Sequence, residues 1–490
     1  MRPGRKVPVL IEGRDHATAM LTRSPRAVNV SEALLALGRC VPSGRATAPV
    51  ARSRSRLGDR MMGLLCVALL ALPALGQPPP VLATDYPSIQ AAIDANPGRV
   101  IVIPAGEHRI SEPLYLRTDG CGLRGPGVIV QADNDADIVR IERAKGVSIE
   151  GLTLTRSEEA RECVAHGLFA WGCEGLTLDA VRVIDNRSAR AAIRVEQCRD
   201  AVVYGCEVLN YKRLGLDDRT QNPGYGYAFR CIDGTGIHVE HCQDVRVSGN
   251  RIIERALLPT PEVVEQNRLG EVVQRNEKLG PLASGSVERE GRVTNWHQGS
   301  AIFVTGPRDT QRITIEANLI ENAGQGIDIH ADQVEVTGNV VTGAFIGLKA
   351  MHGSSDVRIA GNVFSRVDLW GILLSPGSAS AADNPEEHLL IEGNVIADMG
   401  YGMEYWHWST AAGDNNPIAI KLESGPLPEN PPMTDVTVRH NVVTTRDPEH
   451  PRHRWALWID PPPAGPRDVH VSGNVLGAGS LGTTRAGVGE

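Results

Sequence analysis

The sequence predicts an all-β chain wound as a single-stranded parallel solenoid, a β-helix, and three observations carry that prediction. Fragments VSGN, IEAN, VTGN, IAGN, IEGN, VRHN and VSGN recur and end at Asn250, Asn318, Asn339, Asn362, Asn394, Asn441 and Asn474, with tightest spacings of 21 and 23 residues. Before most of them lies a second short strand of the form small-apolar-x-apolar-x: AIRVE at 192, GIHVE at 236, AIFVT at 301, GIDIH at 326, GLKAM at 347, GILLS at 371, AIKLE at 419 and ALWID at 456. No helical pattern separates them. Two or three short strands per repeat describe one coil of a solenoid, with each coil stacked on the previous one at about 4.8 Å.

The elements follow in chain order. Residues 1–60 hold 12 Lys/Arg against 4 Asp/Glu and lack strong periodicity, so they read as a disordered leader or misassigned start outside the fold. Residues 61–76, MMGLLCVALLALPALG, form an uncharged apolar run ending in small residues, the pattern of a secretory signal cleaved before Gln77. The run is too short before Pro78, Pro79 and Pro80 for a membrane span, so the mature form is expected to have none and to be exported, periplasmic or secreted. The β-helix domain is expected over 77–490, with insertions at 210–230, 256–298 and 400–416.

Composition narrows the function. The 490-residue chain is 41% hydrophobic and 22% charged, which suits a large globular core. Its net charge is −8, and without the +8 of residues 1–60 it becomes about −16, so nucleic acid is an unsuitable partner. No GxGxxG between strand and helix and no GxxxxGK suggests a nucleotide site. Seven cysteines follow Gln77, an odd number that leaves at least one unpaired in a monomer. Cys173, Cys198 and Cys242 fall two residues past the small-apolar strand and read as stacked buried thiols, with a disulfide or metal site as the alternative.

The segment TDYPSIQAAIDANPGRVIVIPAGEHRI, residues 84–110, resembles the opening of the pectate-lyase-like right-handed parallel β-helix proteins: a short amphipathic capping helix, a first strand, then a Pro-Ala-Gly turn. With the asparagine repeats, the resemblance covers most of residues 84–480. It implies the right-handed fold, but the architecture hosts lyases, hydrolases, epimerases and non-catalytic adhesins or spikes. The repeated asparagines read as structural, because an amide side chain at a tight bend can bond the backbone groups that the bend strips from the ladder.

Registering the coils leaves two outward positions per coil. One column is Arg194, His238, Phe303, Asp328, Lys349, Leu373, Lys421 and Trp458; the other is Glu196, Glu240, Thr305, His330, Met351, Ser375, Glu423 and Asp460. In GQGIDIHADQ, residues 324–333, strict alternation would send Asp328, His330 and Asp332 to one face. Lys349 lies one coil from Asp328, and His238 with Glu240 lies two coils away on the other side. The insertions enter just before this strand, and long loops on a regular scaffold usually hold function. They carry Arg213, Asp217, Asp218, Tyr227, Trp296, His297, Tyr405, Trp406 and Trp408, which with Lys421 form the expected substrate-binding set. Aromatic rings stack on the apolar faces of sugars while polar neighbours bond the hydroxyls.

The leading expectation is a lyase or epimerase that removes the carbon-5 proton of a uronate in a polysaccharide. His330 is the expected base, oriented by Asp328 or Asp332, and Lys349 neutralises the adjacent carboxylate. DIHAD resembles the Asp-Pro-His-Asp motif of alginate epimerases at Asp328 and His330; Ile329 replaces the proline and the last Asp is shifted by one. A glycoside hydrolase or glycan-transferring enzyme is the first alternative. It would use Asp328 and Glu240, two coils and roughly 9 to 10 Å apart. A non-catalytic carbohydrate-binding β-helix is the second. Acidic clusters such as Asp217 with Asp218 are of the kind that bind calcium, although no calcium-binding repeat motif accompanies them.

Overall fold

Three parallel sheets of 13, 12 and 12 strands run the length of the described chain, and successive coils contribute one strand to each. The computed structural model describes residues 79–215, 232–267, 269, 288–289, 292–293, 297–402, 417–425 and 429–486. A coil therefore has three strands and three corners. Its first strand lies in the sheet that carries the small-apolar pattern, and its third follows the repeated asparagine.

Inward-facing residues stack in register. Ile193, Ile237, Ile302, Ile327, Leu348, Ile372, Ile420 and Leu457 are partners on successive rungs and each is fully buried. At about 25 cal/mol per Å² of apolar surface, such a side chain contributes roughly 1.5–3 kcal/mol. The small first residue of each strand has a steric cause. At the glycine rungs the fit is tightest: a Cβ on Gly347 would lie 2.4 Å from the Gly371 carbonyl oxygen of the next coil.

The helix expected near the amino terminus spans Ile89–Ala95 and buries Ile89, Ala92 and Ile93. Ser88 starts it by accepting from the Ala91 N–H at 3.1 Å, and the helix closes the open end of the core.

The asparagines form a continuous polar ladder. From Asn250 to Asn441, each Nδ2 donates to the Oδ1 of the next asparagine at 2.9–3.0 Å. The backbone N–H of each donates to the same oxygen at 2.9–3.0 Å. The second Nδ2 hydrogen reaches an inner-strand carbonyl, as from Asn339 to Ile315 at 2.9 Å. Every buried polar group at the corner is thereby satisfied by the coil beside it.

Cys121, Cys163, Cys173, Cys198, Cys206 and Cys242 are free thiols, all buried. The stack of Cys173, Cys198 and Cys242 is real: the Cys173 N–H lies 3.3 Å from Cys198 Sγ, and the Cys198 N–H lies 3.3 Å from Cys242 Sγ. Among the described residues no helix is long and apolar enough to cross a membrane.

Candidate functional site

Strand pairing reproduces the outward column rung by rung, with Arg194, His238, Phe303, Asp328, Lys349, Leu373, Lys421 and Trp458 as successive partners. The column continues upstream through Phe169, Arg140 and Tyr115 and downstream to Arg485. Sequence reasoning missed the upstream part, although GLFAW at 167–171 carries the same small-apolar-x-apolar-x signature.

At the centre, Asp328 is 4% exposed and bridges two cations or potential cations. Its Oδ2 lies 3.2 Å from Lys349 Nζ and accepts from Ser300 Oγ at 3.4 Å, while its Oδ1 lies 3.0 Å from His330 Nε2. That last pair is poorly aligned for a hydrogen bond, so the attraction is chiefly electrostatic. Burial alone would raise the Asp328 pKa, but the charges of Lys349 and His330 hold it far below the usual carboxylate range. The residue is therefore a fixed anion.

His330 sits at the end of its strand, with Nδ1 3.3 Å from Thr305 Oγ1. Its ring meets Phe303 edge-on at 5.2 Å and His352 at 4.3 Å. His352 is a component that the sequence reading missed. Burial, followed by the neighbouring His330 and Lys349, lowers its pKa to about 3. Its Nδ1 accepts the Ala379 N–H at 3.3 Å, so the neutral ring carries its proton on Nε2 and can donate. The available signal was weak, because His352 lies just past the alternating positions of its strand, where the chain turns with φ at 70°.

Several expected members lie elsewhere. Asp332 is not on the site face, because the strand Gln325–Ile329 ends first and Asp332 opens the strand Asp332–Thr337 of a different sheet. There its Oδ1 accepts the Ser355 N–H at 3.0 Å, which leaves orientation of His330 to Asp328. His238 and Glu240 form a separate cluster, because Phe303 lies between their rung and that of Asp328. Phe303 stacks on His238 at 4.7 Å, and burial lowers the His238 pKa to about 3, which makes it a poor base. Glu240 is ion-paired with Arg194.

His297 is not a surface ligand. It is 1% exposed, with Nε2 2.6 Å from the Nζ of fully buried Lys212. Lys421 is 5% exposed, and its ammonium is engaged by Glu423 at 2.7 Å and the Trp370 ring at 4.9 Å. Arg213 belongs to a short antiparallel pair, Arg213–Leu214 with Ile232–Asp233. Asp217, Asp218, Tyr227, Trp296, Tyr405, Trp406 and Trp408 lie outside the described residues, as do the leader and the signal-like segment. Among the described residues no cluster of three His, Cys, Asp or Glu could hold a metal ion.

Three stacked parallel sheets with one strand per coil define the fold as a right-handed parallel β-helix. The family described as right handed beta helix region matches residues 283–418. The surface adhesin PfbA of Streptococcus pneumoniae is similar in structure at 12% identity and a TM-score of 0.51, covering 84% of this chain and 99% of its own. An exopolygalacturonase of Thermotoga maritima is 10% identical, covering 71% of this chain and 80% of its own with a TM-score of 0.45. The A-module of the mannuronan C-5 epimerase AlgE6 of Azotobacter vinelandii is 16% identical, covering 81% of this chain and 98% of its own with a TM-score of 0.41. No curated protein matches the chain. At these identities the likeness concerns the fold.

Proposed function

We propose that the protein acts on a uronate-containing polysaccharide by removing the proton at carbon 5, with the Asp328, His330 and Lys349 group as its active site. The observation that carries this reading is the meeting of a buried anion, an imidazole and an ammonium on adjacent rungs, at 3.0 and 3.2 Å.

Each group has a chemical task. The carbon-5 proton is weakly acidic because the adjacent carboxylate is already negative, so that charge must be offset before a base can work. Lys349 has three donors, only one of which Asp328 requires, and the others are available to the substrate carboxylate. The negative charge of Asp328, 3.0 Å from Nε2 though not aligned for a hydrogen bond, favours the proton of His330 on that nitrogen and leaves the lone pair on Nδ1, beside Thr305. Nδ1 is then the base. His352 supplies a neutral donor next to it, suited to a substrate oxygen. Elimination of the 4-linked sugar after proton removal gives an unsaturated uronate, whereas return of a proton to the opposite face gives the epimer.

The paired-carboxylate alternative is weaker on chemical grounds. Asp328 is held ionised and has no proton to give as a general acid, and Glu240 is neutralised by Arg194. Incubation with alginate, pectate and glycosaminoglycans tests the reading by unsaturated-uronate absorbance and by the NMR ratio of uronate epimers. Neither product from any acidic polymer would end it; reducing ends without unsaturation would turn the assignment to hydrolysis.

A further inference from the structure

The half-buried His352 is held by one loop, residues 376–386, to which the proposed reaction gives no task. The Ala379 backbone N–H donates to His352 Nδ1 at 3.3 Å, and Ser378 Oγ lies 3.5 Å from the same nitrogen. Asn384 Nδ2 donates to the His352 carbonyl at 2.8 Å and to the Ala379 carbonyl at 3.0 Å, so one amide ties the loop to the residue it addresses. Behind the turn, the fully buried Glu386 accepts the Gly353 and Ser354 N–H groups at 3.0 and 3.2 Å. The fit is close, because a Cβ on Gly353 would collide with Asn384 Nδ2. Asp383 is paired with Arg308 at 2.7 Å, just past the strand Ser300–Thr305, so the loop is anchored beyond the rung of His330.

A backbone N–H can only donate, so the loop fixes the His352 tautomer with its lone pair on Nδ1 and its hydrogen on Nε2. Nε2 is not sealed inside the fold and has no hydrogen-bond partner among the described residues. The charged and titratable groups around the ring are His330, Lys349 and Asp328; burial, then the first two of these, keeps it neutral, with its pKa lowered to about 3. A neutral imidazole is too weak an acid to lose its N–H hydrogen, so it polarises an oxygen without transferring a proton.

Removal of the carbon-5 proton breaks the C–H bond and sends its electron pair into the carboxylate, whose two oxygens then share a second negative charge. The proton passes to His330 Nδ1, and nothing is oxidised or reduced. Stabilising both oxygens takes two donors, and one rung carries both: Lys349 lies in the strand Ile346–Met351 and His352 follows it, while Asp328 and His330 belong to the rung before. We propose that His352 is a catalytic residue that donates its Nε2 hydrogen to the uronate carboxylate oxygen not held by Lys349, and that Asn384 is the positioning residue that keeps it a donor. This inference rests on the reading of the Asp328 group given above.

The test has a kinetic and a spectroscopic arm, both on the full chain. With alginate, pectate or a glycosaminoglycan as substrate, His352→Phe should lower kcat about 10²- to 10³-fold, as loss of an oxyanion donor does, with KM changed by no more than about threefold. His352→Gln, which keeps an N–H donor, should recover about tenfold of that loss. A rise in KM with kcat unchanged would make His352 a ground-state contact and overturn the proposal; so would loss of a limb of the pH–rate profile, which would mark it as a proton carrier. In the ¹⁵N-histidine-labelled chain, the His352 ring, identified by its absence from His352→Gln, should carry its hydrogen on Nε2 and show no titration between about pH 5 and 8. Asn384→Ala should bring in the other tautomer or a titration in that window, an effect that a merely stabilising residue would not produce. A wild-type ring that titrates there or carries its hydrogen on Nδ1, or a ring indifferent to Asn384→Ala, would overturn the proposal, and this arm decides it should His352→Phe fail to fold. No product from the wild type on any acidic polymer would end the reading of the Asp328 group, whereas product from the wild type with kcat of His352→Phe within about threefold would overturn this inference alone.

Discussion

The asparagine corner and the outward face of the neighbouring sheet obey one stacking rule and use it oppositely. At the corner the same side chain recurs from Asn250 to Asn474 and satisfies itself from coil to coil. On the face the residue changes at almost every rung, from arginine to histidine, phenylalanine, aspartate and lysine. Uniform stacking solves one problem many times, the burial of backbone polar groups. Varied stacking places unlike groups about 4.8 Å apart, which is what polar chemistry on a substrate requires.

Substitution at the two places should therefore separate activity from stability. The largest effect is expected at His330: His330→Ala should lower kcat about 10²- to 10⁴-fold, the usual contribution of a general base, with the urea midpoint nearly unchanged. Stability loss on the scale of the activity loss would instead assign His330 a structural role. Asn339→Ala should do the reverse. It removes an acceptor for the Asn318 backbone and side-chain N–H groups and a donor to Ile315 and Asn362, at a cost of about 3–5 kcal/mol by urea unfolding. Thr305→Ala, on the face, should cost about 0.5 kcal/mol.

A pH-dependent effect is expected at the root of the insertions. Burial brings the pKa of Lys212 down from 10.5 to about 7, against the charges of Glu254 and Asp233. Between these values the unfolded chain binds a proton that the folded chain refuses, so this group makes stability rise with pH through that window. Lys212→Met should flatten the rise by up to about 1.4 kcal/mol per pH unit, measured by urea unfolding at successive pH values. An unchanged slope would mean that Lys212 is protonated in the fold. The smallest effect concerns Cys206, whose thiol burial pushes up to about 12: it should resist a disulfide-exchange reagent at pH 8 until the chain unfolds.

Inward stacking, the capping helix, the asparagine ladder and the order of the outward column from Arg194 to Trp458 were readable from the residues. They rest on local alternation and on a repeat that every coil must satisfy. The site was readable only in part. Asp328, His330 and Lys349 converge as their spacing indicated, whereas Asp332 and His352 exchange expectations because the chain turns after Ile329 and after Met351, where alternation ceases to specify a face.

Side-chain competition explains the remaining differences. Phe303 separates His238 and Glu240 from Asp328, Glu423 engages Lys421, and Lys212 draws His297 inside. The repeat in the amino-acid order thus determined which rung each residue occupies. Which charges remain available on that rung was decided by contacts between coils, because burial and ion pairing depend on neighbours up to 85 residues away in the chain.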